Sequence, residues 1–262
     1  MKKSNVGFKK EYEAVAGYSG DFLLADYRRN AAANKTFYSF IENAVKGLRG
    51  KILRIMEVGS GTGRNACYLA KKYPKVEVHA LDILKESLIA GRRTAALLKC
   101  GANLKFVVAD ATKLKYKDGY FDLIYSQGTL EHFKDINPVM KEQVRVLKPG
   151  GILIINVPQT FNYYTIKKHL AMARGKWEPG WETQYSYGDL KNIERTFGLQ
   201  LIKVGGQEYD SKLTEVVKAY GFLSKSLIPK ALDRIFRSGW AKLKENFGHL
   251  FLLEIIGVFK KV

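Results

Sequence analysis

Seven residues constrain this chain more than any others: Glu57-Val58-Gly59-Ser60-Gly61-Thr62-Gly63. They follow Ile52–Val58, a mostly apolar run of the kind that forms a buried parallel strand. They precede Arg64–Tyr73, which reads as a helix. A glycine turn in that position lets the backbone approach a ligand with no Cβ in the way. It also presents the unpaired N–H groups of the helix start. Dinucleotide enzymes place G-x-G-x-x-G there and keep the helix start free for a pyrophosphate. Here the spacing is G-x-G-x-G, with an acidic residue two positions before the first glycine. A carboxylate there disfavours a pyrophosphate and suits a ligand with a positive amino group.

Strands and helices then alternate. Val76–Asp82 reads as a second strand, Lys85–Cys100 as a helix stopped by Gly101, and Leu104–Asp110 as a third strand. Tyr120–Ser126 is a fourth, Ile136–Leu147 a helix ended by Lys148-Pro149-Gly150-Gly151, and Ile152–Val157 a fifth. Such βαβ units build a parallel sheet. Beyond Pro158 the pattern loosens. Tyr163–Arg174 and Gly188–Phe197 read as helices, and Leu199–Val204 and Phe251–Phe259 as strands. Between the two helices lies a loop with Trp177, Trp181 and Tyr185. Residues 8–50 read as helical. With 262 residues and 46% hydrophobic content, a single domain is expected. It comprises a helical cap over 1–50, a core over 51–158, and a second half over 159–262 that carries a helical insertion, 211–247.

The net charge of +19 favours anionic partners: nucleic acid, lipid head groups or a phosphorylated substrate. A generally basic surface is the plainer alternative. The insertion holds eight Lys/Arg against three Asp/Glu, and its second helix is amphipathic. That pattern suits either docking on an anionic membrane or ordinary packing on the core. Cys67 and Cys100 form no metal-ligand pair, and His79, His132, His169 and His249 show no ligand spacing, so no metal is expected. No apolar run is long enough to span a membrane, and no secretory signal opens the chain. A cytoplasmic protein is expected, with peripheral membrane contact as a further reading of the insertion.

Three more features lie at strand ends. Asp82 can accept hydrogen bonds from both hydroxyls of a ribose. Asp110, before Ala111, can accept from an adenine amino group or cap the turn Ala111–Leu114. Ser126 and Gln127 end the fourth strand at the crevice where open α/β sheets bind ligands. Together with the glycine loop and the Leu147-Lys148-Pro149-Gly150-Gly151 turn, these motifs resemble the class I methyltransferase family. Leu130-Glu131-His132 looks like the subset that includes ubiquinone-pathway and sterol-type methyltransferases.

The resemblance implies a Rossmann-like, mostly parallel seven-stranded sheet whose last strand, Phe251–Phe259, is antiparallel. It implies S-adenosylmethionine as cofactor and S-adenosylhomocysteine as product. Glu57 with Gly59, Ser60, Gly61 and Gly63 would hold the methionine portion, and Asp82 with Ile83 the ribose. Asp110 and Ala111 would read adenine, and Gln127 would line the floor. His132 is the expected general base, and Glu131 reads as a helix-start acid. The expected acceptor is a small molecule, lipid or saccharide precursor, methylated on oxygen or carbon. No Pro-Pro-Tyr or Pro-Pro-Phe follows Ser126, which argues against adenine and amide N-methylation. A nucleic-acid methyltransferase rests on charge alone, and a non-catalytic cofactor-binding protein is the third reading.

Overall fold

Three short apolar strands set the architecture: β1 (Arg54–Val58), β2 (Glu77–Asp82) and β4 (Phe121–Gln127). Ile55, Met56, Val58, Leu123 and Ile124 are wholly buried, so both faces of these strands must be covered. The computed structural model describes residues 13–15, 17–48, 53–160, 162–175, 182–208 and 252–262. With β3 (Leu104–Val108), β5 (Leu147–Pro158), β6 (Leu199–Glu208) and β7 (Leu252–Lys261), the strands form one sheet in the order β3-β2-β1-β4-β5-β7-β6. The first five are parallel neighbours, and β7 runs antiparallel to both β5 and β6. The chain builds outward from β1 to β3, then returns to start β4 on the other side of β1. That reversal opens a crevice at the carboxyl ends of β1 and β4.

Alternate residues feed two cores. Ile55, Leu123, Tyr125 and Ile154 face α2 (Lys35–Gly47), α3 (Arg64–Lys72) and α4 (Lys85–Leu98). Met56, Ile124, Leu153 and Ile155 face α5 (Asn137–Val146) and α7 (Tyr187–Phe197). The remaining helices are α1 (Gly20–Ala33) and α6 (Tyr163–Ala173). Between Gly20 and Gly47 the expected helical cap is two helices broken at Asn34. It is fastened to α3 by the Tyr38–Tyr68 ring stack, with centroids 3.8 Å apart, and by Tyr68 donating to Glu42 over 2.8 Å.

Two sequence boundaries shift. The fifth strand starts at Leu147, not Ile152. Its register runs Phe121↔Leu147 and then Leu123↔Ile152, so Lys148–Gly151 bulge out of a continuous strand instead of preceding it. The sixth strand continues past Val204 to Glu208. Gly205 and Gly206 allow this. A Cβ on Gly206 would sit 2.0 Å from the Glu254 carbonyl oxygen, and one on Gly205 2.5 Å from the Phe40 ring.

The insertion 211–247 lies outside the described residues, and the membrane-docking expectation with it. So do Trp177, Trp181, His249 and the helix stop at Gly50. Among the described residues no helix is long and apolar enough to cross a membrane.

Ile154 is fully buried mid-strand, between Tyr125 and Val258. Ile154→Ala should cost about 2–5 kcal/mol of stability, the usual range for such a truncation. Denaturant unfolding followed by circular dichroism measures it.

Candidate active site

The glycine loop is held in a backbone shape that other residues resist. Gly59, Gly61 and Gly63 have φ of 69°, 51° and 66°. Two of the three are crowded as well as left-handed. A Cβ on Gly59 would lie 2.2 Å from the Thr129 hydroxyl oxygen, and one on Gly63 2.7 Å from the Phe106 ring. Thr129 comes from beyond β4 and donates to the Val58 carbonyl over 3.1 Å, so it clamps the loop to the neighbouring strand. Asp82 fixes the other side. One carboxylate oxygen accepts from Gly61 N–H at 2.7 Å, the other from Leu84 N–H at 2.9 Å. Ser60 N–H reaches the Leu81 carbonyl at 2.9 Å. Burial raises the Asp82 pKa against these donors.

Beside Asp82, Ile83 is 43% exposed, and Val108 at the end of β3 is 51% exposed. These apolar side chains stand in the open at the rim of the crevice. Asp110 accepts from the Thr112 backbone N–H at 2.8 Å and its hydroxyl at 2.7 Å, so the cap alternative is realised. Ala111 is buried.

Below the loop lies a polar network. Glu57 is 2% exposed, and its carboxylate accepts from the Ala66 backbone N–H and from Asn65 Nδ2, each at 3.0 Å. Asn65 Nδ2 also donates to Gln127 Oε1 at 3.1 Å, and Gln127 Nε2 to Asn34 Oδ1 at 2.7 Å. Asn65 Oδ1 accepts from the Tyr38 hydroxyl at 2.9 Å and Asn30 Nδ2 at 3.0 Å. Glu57 therefore props the first turn of α3 from beneath. Gln127 joins that prop to the N-terminal helices. Sequence reasoning found Glu57 and Gln127 but missed Asn30, Asn34, Tyr38, Asn65 and Thr129. The available signal was the i, i+4, i+8 spacing of Asn30, Asn34 and Tyr38, together with an Asn in the first turn of a buried helix.

On the far side of the crevice the chain leaves β4 through Gly128 and makes a 3₁₀ turn, Leu130–His132. His132 is half-buried there. Glu131 lies in the first turn of that 3₁₀ helix, but it is 3% exposed, and its Oε2 has no hydrogen-bond partner among the described residues. Burial, reinforced by the charges of Glu182 and Glu254, pushes its pKa up to about 8. Around it, Lys168 pairs with Glu182 at 2.9 Å, Asn156 Nδ2 donates to Glu254 at 2.7 Å, and Thr183 N–H donates to the Glu131 carbonyl at 2.9 Å. Among the described residues no group of three His, Cys, Asp or Glu is placed to hold a metal ion.

Residues 56–155 match the family described as a methyltransferase domain. The match covers well under half of the chain. A segment of 102 residues is 34% identical to the ubiquinone/menaquinone biosynthesis C-methyltransferase of Dinoroseobacter shibae, covering 39% of this chain and 41% of that protein. The chain thus spans less than half the length of that relative. Among solved structures, a putative sarcosine dimethylglycine methyltransferase from Galdieria sulphuraria superposes with a TM-score of 0.60 at 19% identity, covering 89% of this chain and 87% of that one. The phosphoethanolamine N-methyltransferase 2 of Haemonchus contortus, solved with S-adenosyl-L-methionine, gives a TM-score of 0.55 at 19% identity, over 89% and 52% of the two chains. At such identity the likeness is one of fold. The matched residues and the polar network overlap, from Glu57 through Asn65 to Gln127.

The buried carboxyl beneath the loop makes stability pH-dependent. Burial pushes the Glu57 pKa from 4.5 to about 8 despite its two N–H donors. Between those values the folded state holds a proton that the unfolded chain has released, so stability should fall as pH rises across that window. Glu131 acts in the same direction. Thermal melts from pH 5 to 8.5 should show the decline, and Glu57→Gln should flatten it. A flat wild-type profile would show that Glu57 stays ionised in the fold.

Proposed function

We propose that this chain transfers a methyl group from S-adenosylmethionine to a small-molecule acceptor. One observation carries the reading: within the span that matches the methyltransferase domain family, a left-handed glycine loop is tied by Gly61 N–H to the buried Asp82, at the point where the sheet reverses. Gly59, Ser60, Gly61 and Gly63 would lie along the methionine portion. Glu57 would act through the α3 turn it props. Asp82 keeps lone pairs for the ribose hydroxyls after taking its two backbone donors. Ile83 would offer an apolar face beside the ribose. Asp110 and Ala111 would meet the adenine edge, and Gln127 would form the floor.

The chemistry asks little of covalent help. The nucleophile, the methyl carbon and the sulfonium sulfur must be held in line, with water excluded. The cofactor would fill the carboxyl ends of β1 to β3, so the acceptor would enter over β4 and β5. The relatives differ in the atom they methylate, one named for carbon and another for nitrogen. The acceptor side is the part of this domain that would set the choice.

Calorimetry should show binding of S-adenosylmethionine and none of NAD. Asp82→Ala should lose about 1.5–3 kcal/mol of that affinity, the range for hydrogen bonds to a charged group. Unchanged affinity with the circular dichroism spectrum intact would place the ribose elsewhere.

A further inference from the structure

Glu57 and Glu131 are both buried carboxyls, one in β1 and one in the turn beyond β4. Their surroundings differ in one respect that decides what each can do. Glu57 has an N–H donor on each oxygen. Glu131 Oε2 is buried with no partner among the described residues, an arrangement that leaves its desolvation uncompensated. Its other oxygen lies 3.8 Å from the position a Cβ on Gly128 would occupy, so the carboxyl folds back on the carboxyl end of β4. Two residues earlier, Thr129 packs on Gly59. Glu131 is therefore one short turn from the methionine side of the loop, at the strand end where the acceptor would enter.

Among the described residues the neighbouring charged groups give Oε2 no hydrogen bond, and the residue's own backbone N–H donates to the carboxyl. Lys168, from α6, is 1% exposed, and its Nζ donates to the Glu182 carboxylate at 2.9 Å and to the Glu182 backbone carbonyl at 3.0 Å. Glu254, from β7, accepts from Asn156. The Tyr185 hydroxyl donates to the Leu130 carbonyl at 3.4 Å. His132 follows in the same 3₁₀ turn. Two carboxylates, from Glu182 and Glu254, oppose the ionised form of Glu131, and Lys168 favours it.

We propose that Glu131, rather than His132, is the catalytic residue on the acceptor side, its Oε2 receiving the proton of the acceptor's nucleophilic hydroxyl or amine. This rests on the methyltransferase reading above. As the nucleophile attacks, its bond to the methyl carbon forms and the carbon–sulfur bond breaks. The electron pair returns to sulfur, leaving a neutral thioether, and the nucleophile's proton passes to Oε2, leaving a neutral carboxylic acid. A sulfonium and a carboxylate become two uncharged groups, a change that a water-poor site favours. The raised basicity of the buried carboxyl suits it to the task near neutral pH. The positive sulfonium, on binding, lowers the carboxyl pKa and makes the base available only when the methyl donor is present.

That dependence gives a test needing no acceptor. Carbon-13 NMR of glutamate-labelled protein, with the Glu131 signal assigned by Glu131→Gln, follows its carboxyl in the S-adenosylhomocysteine and S-adenosylmethionine complexes. In the first it should titrate near 8. In the second it should titrate lower by on the order of one unit, the effect of one opposite charge nearby. Turnover is then measured as S-adenosylhomocysteine release over a panel of phenols, alcohols and amines. Glu131→Gln should lose roughly 10²–10⁴-fold on any acceptor the wild type uses, with Glu131→Asp recovering part of the loss. An identical titration in both complexes overturns the proposal, as does one in the ordinary carboxylate range. A turnover loss under threefold, or a larger loss in His132→Asn than in Glu131→Gln, does the same. Failure to bind S-adenosylmethionine at all would remove the reading beneath it instead.

Discussion

The turn from β1 into α3 requires three residues with positive φ within five positions, and two of them have no room for a side chain. Thr129 crowds Gly59, and Phe106 crowds Gly63, while Asp82 takes the intervening Gly61 N–H. The loop is thus fixed by three different strands at once. The crevice geometry follows from that fixing: the start of α3, the position of the Asp82 carboxylate, and the approach of β4 to β1. A loop with ordinary residues would swing out, and Asp82 would lose the donor that holds one of its oxygens.

Beneath this turn the Glu57 carboxylate finds an N–H donor on each oxygen, while the Ser60 and Thr62 hydroxyls are buried without a partner among the described residues. Asn65 is the hub, joining Glu57, Gln127, Tyr38 and Asn30. Through it the N-terminal helices become part of the cofactor side and do more than cover the sheet. The side beyond β4 is built differently. Lys168 pairs with Glu182 and Asn156 Nδ2 with Glu254, but Glu131 Oε2 and Asn156 Oδ1 are buried oxygens that none of the described residues satisfies. Saturated polar clusters rigidify a site, whereas an unsatisfied buried acceptor is costly until something arrives to donate to it.

The sequence disclosed its periodic and local features well. Apolar runs in β1, β2 and β4 announced a doubly covered parallel sheet, and the G-x-G-x-G spacing announced a turn needing positive φ. Asp82 was legible because a carboxylate at a strand end has few structural reasons to be there. Glu131 was legible as an acid at a helix start, but its burial was not, because the strap carrying Thr183 and Tyr185 meets that turn from far along the chain. The β5 boundary was misplaced for a related reason: Pro149 and two glycines read as a turn, but pairing on both flanks carries the strand through a bulge.

What the sequence by itself determined is the set of constraints that act within a few residues: helix and strand periods, the glycine turn, and the strand-end acids. Tertiary structure decided which polar groups end up paired. Asn30, Asn34 and Tyr38 meet Asn65 and Gln127 across separations of 27 to 93 residues. Lys168 turns inward because Glu182 is there to receive it. Hydrogen bonds act over about 3 Å, so no local pattern reveals which distant partner folding will bring into range, or which buried oxygen it will leave without one.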